Sequence, residues 1–302
     1  MKVLMTGITG FIGRNLGERL INDGHEVYAI VRPTSNTDSL SENLQRNVKF
    51  YTYDKNNSVM DIVTKICSDT PARGGVDVVY HLASWLLTAH KFEDISPLIQ
   101  SNITFGTELL EAVTSNKIYN FVNTGTAFQH YDDADYKPFN FYAATKECFE
   151  KIINFYEESA GLRCINLHLF DTYGAGDTRG KILNLLKKIS ETGETLKMSP
   201  GEQLIDIVYI DDIVDAFVLA GKYLAAGKYE LCGTYGVSSM NPIPLREVVK
   251  IFEEVAGKKL SIEWGGRPYR QREIMIPWKS YKVLPSWSPK INLAEGIKKF
   301  LM

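Results

Sequence analysis

Three side chains near the middle of this 302-residue chain have the types and spacing of a proton-transfer site. Tyr142 and Lys146 stand four apart in Phe141-Tyr142-Ala143-Ala144-Thr145-Lys146. On a helix, residues at i and i+4 share a face one turn apart. An ammonium beside a phenol favours the phenolate and lowers the tyrosine pKa. That suits a general acid/base for interconverting a hydroxyl and a carbonyl. Thr126, at the end of Thr124-Gly125-Thr126, adds a hydroxyl. By itself the pair is weak, since a Tyr and a Lys on a solvated helix face look the same.

The pair gains specificity from the start of the chain. Gly7, Gly10 and Gly13 follow the apolar run Val3 to Met5 and precede a helical stretch, Arg14 to Asn22. Strand, glycine-rich turn and helix together form the context of a dinucleotide site. Gly7 would allow the tight turn, Gly10 backbone approach to the pyrophosphate, and Gly13 close helix packing. The helix N-terminus would present free N–H groups to the phosphates. Thr9, Phe11, Ile12 and Arg14 share this turn and are expected to touch the cofactor. The plainer alternative is an ordinary glycine-rich turn.

The elements that must position these residues follow in order. Strands are expected at Glu26–Arg32, Val48–Tyr53, Val76–Ala83, Tyr119–Thr124 and Leu162–Phe170. Helices are expected at Ser58–Ser68, about Ile95–Ser115 and Phe141–Ser159, with a loop over Pro33–Asn43 and a break at Pro71–Gly75. Alternating strands and helices imply a parallel sheet covered on both faces, an α/β Rossmann-type doubly wound fold. Farther on, a loop spans Tyr173–Arg179, a helix Ile182–Ser190, a strand Leu204–Ile210 and a helix Asp211–Leu224. The expected division is a dinucleotide-binding domain of 1–170 and 204–228, and a smaller C-terminal substrate-binding domain of 171–203 and 229–302.

Composition narrows the class of partner. A net charge of −2 gives no electrostatic case for nucleic acid or a membrane surface. Cys67, Cys148, Cys164 and Cys232 lie far apart, so neither a metal site nor a disulfide framework is expected. No uncharged apolar run reaches spanning length. With the first strand at residue 2, no leader is expected, and a cytoplasmic location is.

Together these residues resemble the extended short-chain dehydrogenase/reductase family, the group of UDP-galactose 4-epimerase and the nucleotide-sugar dehydratases and reductases. Thr6-Gly7, Gly10 and Gly13 match its cofactor motif, and Thr126, Tyr142 and Lys146 match its catalytic Ser/Thr, Tyr and Lys. The resemblance implies cofactor contacts at Asp54 (on the adenine), Leu82, Ala83, Ser84, Asn102 and Thr124, besides Tyr142 and Lys146. It implies substrate contacts at Ser84, Thr126, Asp171, Arg179, Lys181 and Arg267. Arg267, in Gly266-Arg267-Pro268, would grip a diphosphate with its planar fork; a solvated basic loop is the alternative. Asp177 and Arg179 would contact substrate or pair in solvent. His81 reads as structural, and Asp211 and Asp212 as helix caps rather than metal ligands.

Departures from the family pattern refine the reading. Dehydratases carry acidic residues after the catalytic Thr, whereas Ala127-Phe128-Gln129 follows Thr126 here. Gln129-His130-Tyr131, Phe141 to Lys146 and Asp171-Thr172-Tyr173-Gly174 resemble the 4-ketoreductase branch that includes CDP-abequose and CDP-paratose synthases. The resemblance therefore implies reduction of the keto group of a nucleotide-linked 4-keto-deoxy sugar in deoxysugar and polysaccharide (O-antigen) biosynthesis. The alternatives are an epimerase with tightly held NAD and a non-catalytic dinucleotide sensor. The second strand ends Val31-Arg32, with no acid for the ribose hydroxyls. Arg32, and Arg14 reaching the same region, would favour NADPH, with NAD possible. A homodimer through the helices of Ile95–Ser115 and Phe141–Ser159 is also implied.

Overall fold

The computed structural model describes residues 1–69 and 75–302. Of the break expected at Pro71–Gly75, all but Gly75 lies outside the described residues. Strands β1 (Lys2–Thr6), β2 (Glu26–Val31), β3 (Val48–Thr52), β4 (Val78–His81), β5 (Asn120–Thr126), β6 (Arg163–Leu169) and β11 (Gly233–Val237) form one sheet in the order β3-β2-β1-β4-β5-β6-β11. Every pairing in it is parallel. The strand order reverses between β1 and β4, which opens a crevice beyond their carboxyl ends.

Strand periodicity sends alternate side chains to opposite faces. In β1, Val3 and Met5 join one core with Leu16 and Leu20 of α1 (Phe11–Asn22) and Phe217 of α8 (Ile210–Ala225). Leu4 joins the other, with Ile62 and Ile66 of α3 (Val59–Ser68), Leu109 and Val113 of α5 (Phe105–Ser115), and Phe149 and Ile153 of α6 (Phe141–Ala160). Each such buried side chain contributes about 1.5–3 kcal/mol. That is why these strands read as nearly continuous apolar runs.

Several expected elements differ in detail. The first helix begins at Phe11, directly after the glycine turn. The stretch expected to be a loop ends in a short helix, α2 (Glu42–Asn47), capped by Ser41, whose hydroxyl accepts from the Leu44 N–H. The helix expected over Ile95–Ser115 comprises α4 (Ile95–Ile99), a wide π turn at Gln100–Thr104, and α5. The strand expected over Leu204–Ile210 divides at Asp206 into β9 (Leu204–Ile205) and β10 (Ile207–Tyr209). The Asp206 carboxylate there accepts from Ser238 Oγ (2.6 Å) and the Ser239 N–H (2.8 Å).

Strand β10 pairs with β7 (Asp171–Tyr173), and β9 with β12 (Ile243–Pro244). A third small pair joins β13 (Ile262–Trp264) to β8 (Leu196–Met198). The segment 229–302, assigned above to substrate, supplies β11 to the large sheet, so it does not stay apart from the dinucleotide fold. Among the described residues no helix is long and apolar enough to cross a membrane.

Candidate active site

The glycine turn closes on the carboxyl end of β4. Gly7 has a left-handed φ of 76°. A Cβ on it would come within 2.6 Å of the Ala83 backbone N, and one on Gly13 within 2.1 Å of the Gly7 carbonyl O. Gly10 accepts the Arg14 N–H at 2.9 Å and donates to Gly7 O at 3.0 Å. A cavity of about 420 Å³ opens beyond the turn. Of the residues assigned above to the cofactor, Gly7, Thr9, Gly10, Arg32, Leu82, Ala83 and Ser84 line it, together with Ser35, Tyr53, Gln100 and Phe105. Backbone at a helix N-terminus, glycines where a side chain would clash, and a crevice at the reversal of strand order all fit a dinucleotide.

Other residues assigned to the cofactor do not line this cavity. Asp54 sits at the end of β3, and its carboxylate caps a turn, accepting from Asn56 N (2.8 Å) and Asn57 N (2.9 Å). Tyr53 takes the wall position instead. Arg14 donates to the Gly176 carbonyl, so it points to the loop after β7 and does not join Arg32 on the cavity wall. Thr124 Oγ1 donates to the His81 carbonyl at 2.8 Å. Asn102, in the π turn, is fully buried: it accepts from the Trp85 N–H (2.7 Å) and donates to Trp85 O and Thr145 Oγ1 (3.0 Å each). It pins the loop after β4 to the helix that carries Tyr142.

That helix, α6, starts at Asn140, whose side chain accepts the Ala143 N–H at 2.9 Å. Tyr142 and Lys146 therefore occupy its first two turns, and both are buried. Burial pushes the Tyr142 hydroxyl up to about 12, with the neighbouring Ser84 side chain pulling the other way. The lowering expected from Lys146 is not found; burial, opposed by Ser84, sets the direction. Burial also draws Lys146 down to about 8, opposed by Glu150. Thr126 Oγ1 accepts from the Phe128 N–H at 3.3 Å, which leaves its hydroxyl hydrogen free to donate. His81 is structural: the Thr6 hydroxyl accepts from Ala83 N and bonds His81 Nδ1 at 2.8 Å. Burial drives His81 down to about 3, so it stays neutral.

Next to Thr126 in the chain, Ala127 and Phe128 line a second cavity of about 140 Å³. Phe139, Phe170 and Trp278 give it aromatic walls, and Asp171, Asp206, Arg270, Glu273 and His130 give it polar groups. Of the expected substrate residues, Asp171 lies on this wall, and it pairs with Lys181 at 2.9 Å. Arg179 forks onto the buried Asp177 carboxylate (2.7 Å twice) and donates to Thr172 O at 2.9 Å, so it holds its loop rather than pairing in solvent. Arg267 is exposed and off the wall, where Arg270 stands three residues later. Asp206, Glu273 and Trp278 gave no local signal in the sequence, because only the chain's return brings them together. Asp212 does not cap α8; it accepts from Lys290 N (3.0 Å) and Ile291 N (3.1 Å), tying down the C-terminal segment.

Residues 3–232 match the NAD dependent epimerase/dehydratase family. The chain belongs to that family. Within reach of it, a CDP-abequose synthase of Salmonella muenchen is 28% identical over 99% of this chain and 97% of its own length. A UDP-glucuronate 4-epimerase of Thermodesulfobacterium geofontis is also 28% identical, over 98% of this chain and 94% of its own. Among solved structures, a UDP-glucuronic acid 4-epimerase from Bacillus cereus, in complex with UDP-glucuronic acid and NAD, superposes with a TM-score of 0.82. It is 23% identical and covers 99% of this chain and 97% of that one. The family's doubly wound sheet is thus the fold of this chain.

Proposed function

We propose that this member of the family reduces the keto group of a nucleotide-linked 4-keto-deoxy sugar, with NADPH preferred. One observation carries the reading: Tyr142 is buried, keeps its proton at neutral pH, and is hydrogen-bonded to Ser84, which lines the cavity beyond the glycine turn. A protonated phenol is a donor, which reduction of a carbonyl requires.

A reduced nicotinamide held by the glycine turn and Leu82–Ser84 would supply the hydride for the carbonyl carbon. Tyr142 gives its proton to the oxygen, which becomes the hydroxyl, and is left as phenolate. Thr126 donates a hydrogen bond to the same oxygen, and the Lys146 ammonium steadies the phenolate until solvent returns the proton. Ala127 and the aromatic walls suit a deoxygenated sugar face. Three carboxylates against one guanidinium on that wall disfavour a uronic acid.

The preference for NADPH rests on charge. No acidic residue lines the cofactor cavity among the described residues, Val31 stands where an acid would repel a 2′-phosphate, and the exposed Arg32 lies on the wall.

An epimerase is the second reading, favoured by the match to the UDP-glucuronate 4-epimerase. A panel of nucleotide-linked 4-keto-deoxy sugars distinguishes the two. One NADPH oxidised per product supports the reductase, while product without net oxidation supports the epimerase. A homodimer through α5 and α6 is part of the proposal: Phe155 on α6 is 62% exposed, although Phe149 and Ile153 of the same helix are buried. Sedimentation should give a dimer at micromolar concentration, and a monomer would count against it.

A further inference from the structure

Beneath Thr126 lies a buried polar chain that the proton transfer above does not use. His130 Nδ1 lies 3.1 Å from the Ala134 carbonyl O, and His130 Nε2 lies 3.0 Å from His168 Nδ1. His168 Nε2 lies 2.8 Å from Glu150 Oε1. The same Glu150 oxygen accepts from Gln129 Nε2 at 3.0 Å, and Glu147 accepts from that amide at 2.9 Å. Gln129 Oε1 in turn accepts the Thr126 N–H at 2.9 Å, which fixes the orientation of the amide.

Counting hydrogens decides the state of this chain. A carbonyl oxygen and an ionised carboxylate only accept, and a neutral imidazole carries one ring hydrogen. Three contacts in series therefore need three hydrogens, and two neutral imidazoles bring two. Whichever tautomers are chosen, one contact then faces lone pair against lone pair. A third proton completes all three. Glu150 is a poor place for it, because its oxygen already takes two donors. Burial would raise that carboxyl, but His168, Gln129 and Lys146 together hold it below the usual range. Burial, and then His168, hold His130 low as well. The third hydrogen is therefore shared within the imidazole pair, against the carboxylate.

The surroundings are built for this arrangement. A Cβ on Gly125 would come within 2.3 Å of His168 Cδ2 and 2.8 Å of Glu150 Oε1, so β5 leaves room for the pair only with glycine there. Trp278 stacks on His130 with ring centroids 3.8 Å apart, and both line the second cavity. The ionisable groups facing Glu150 are Lys146 and Glu147 from α6, the latter 3.3 Å from Lys151, and Cys164 and His168 from β6; His130 reaches it only through His168.

We propose that His130, His168 and Glu150 retain one shared proton at neutral pH, and that this chain positions Thr126 through Gln129 and holds Lys146 as an ammonium through Glu150, one helical turn away. It deepens the reading of Lys146 as the catalytic lysine, but both readouts below need no substrate, so failure of the reductase assignment leaves them intact. Glu150→Gln keeps the shape. Its amide oxygen can still accept from Gln129 Nε2, but without the carboxylate charge nothing holds the third proton, so the two imidazoles keep only their two ring hydrogens.

The test is nitrogen NMR of the labelled full-length protein at pH 7.5. In the wild type, the ring nitrogens of His130 and His168 should together carry three hydrogens; in Glu150→Gln, two. The titration of the Lys146 ammonium should fall by about one pH unit or more in the variant, as for loss of a nearby opposite charge. Only two ring hydrogens across the pair in the wild type would overturn the proposal even if the variant failed to fold. So would an unmoved Lys146 titration in a folded variant.

Discussion

The two cavities are built from different material. The cavity beyond the glycine turn is built around close-packed backbone, where Gly7 meets Ala83, and is lined by the strand ends at Val31 and Leu82–Ser84. All its contributors lie between residues 7 and 105. The second cavity is made of side chains from 127–139, 170–171, 204–206 and 270–278. Backbone sites tolerate changes of side chain but not added bulk. Side-chain sites are set by whichever groups the fold brings together, so their specificity can change while the fold persists.

That contrast can be tested, beginning where the effect should be largest. Tyr142→Phe removes the proposed proton donor and should lower turnover by roughly 10²–10⁴-fold, as for a lost general acid. Affinity for the dinucleotide should stay near that of the wild type by fluorescence titration; a turnover close to normal would remove Tyr142 from the chemistry. Gly13→Ala should act on the backbone-built cavity alone. Its Cβ, 2.1 Å from the Gly7 carbonyl, forces α1 off the turn. Overpacking of this kind costs about 1–3 kcal/mol or more, so both melting temperature and dinucleotide affinity should fall. Unchanged affinity would mean that the turn does not hold the cofactor.

Smaller effects should separate selectivity from binding. Arg32→Ala removes a side chain from a backbone cradle, so NADPH should lose its advantage while NADH binding stays. A charge-assisted contact of about 1.5–3 kcal/mol corresponds to a roughly ten- to hundred-fold change in the ratio of kcat/KM values. An unchanged ratio would refute the role of Arg32. In the second cavity, Arg270→Ala should raise the KM for a nucleotide sugar by about tenfold, the lower end for a contact to a charged group. Arg267→Ala should change it little, because Arg267 is exposed and off the wall. The reverse order would restore the assignment of Arg267 that the sequence pattern suggests.

What the sequence determined by itself was local. The glycine turn, the alternation of strand and helix, and the Tyr142–Lys146 spacing are patterns within a few residues, and backbone sterics or helix periodicity force their geometry. Gly7 and Gly10 accordingly lie in the turn between β1 and α1, and Tyr142 and Lys146 in the first two turns of α6. Only the tertiary structure decided which of two neighbouring residues faces a cavity: Tyr53 rather than Asp54, and Arg270 rather than Arg267. It alone set the charge state of Tyr142, because desolvation depends on everything packed around the phenol and not on the lysine one turn away. It alone joined His130, His168 and Glu150. These three come from a loop, a strand and a helix, and a hydrogen bond between side chains far apart in sequence leaves no periodicity to read.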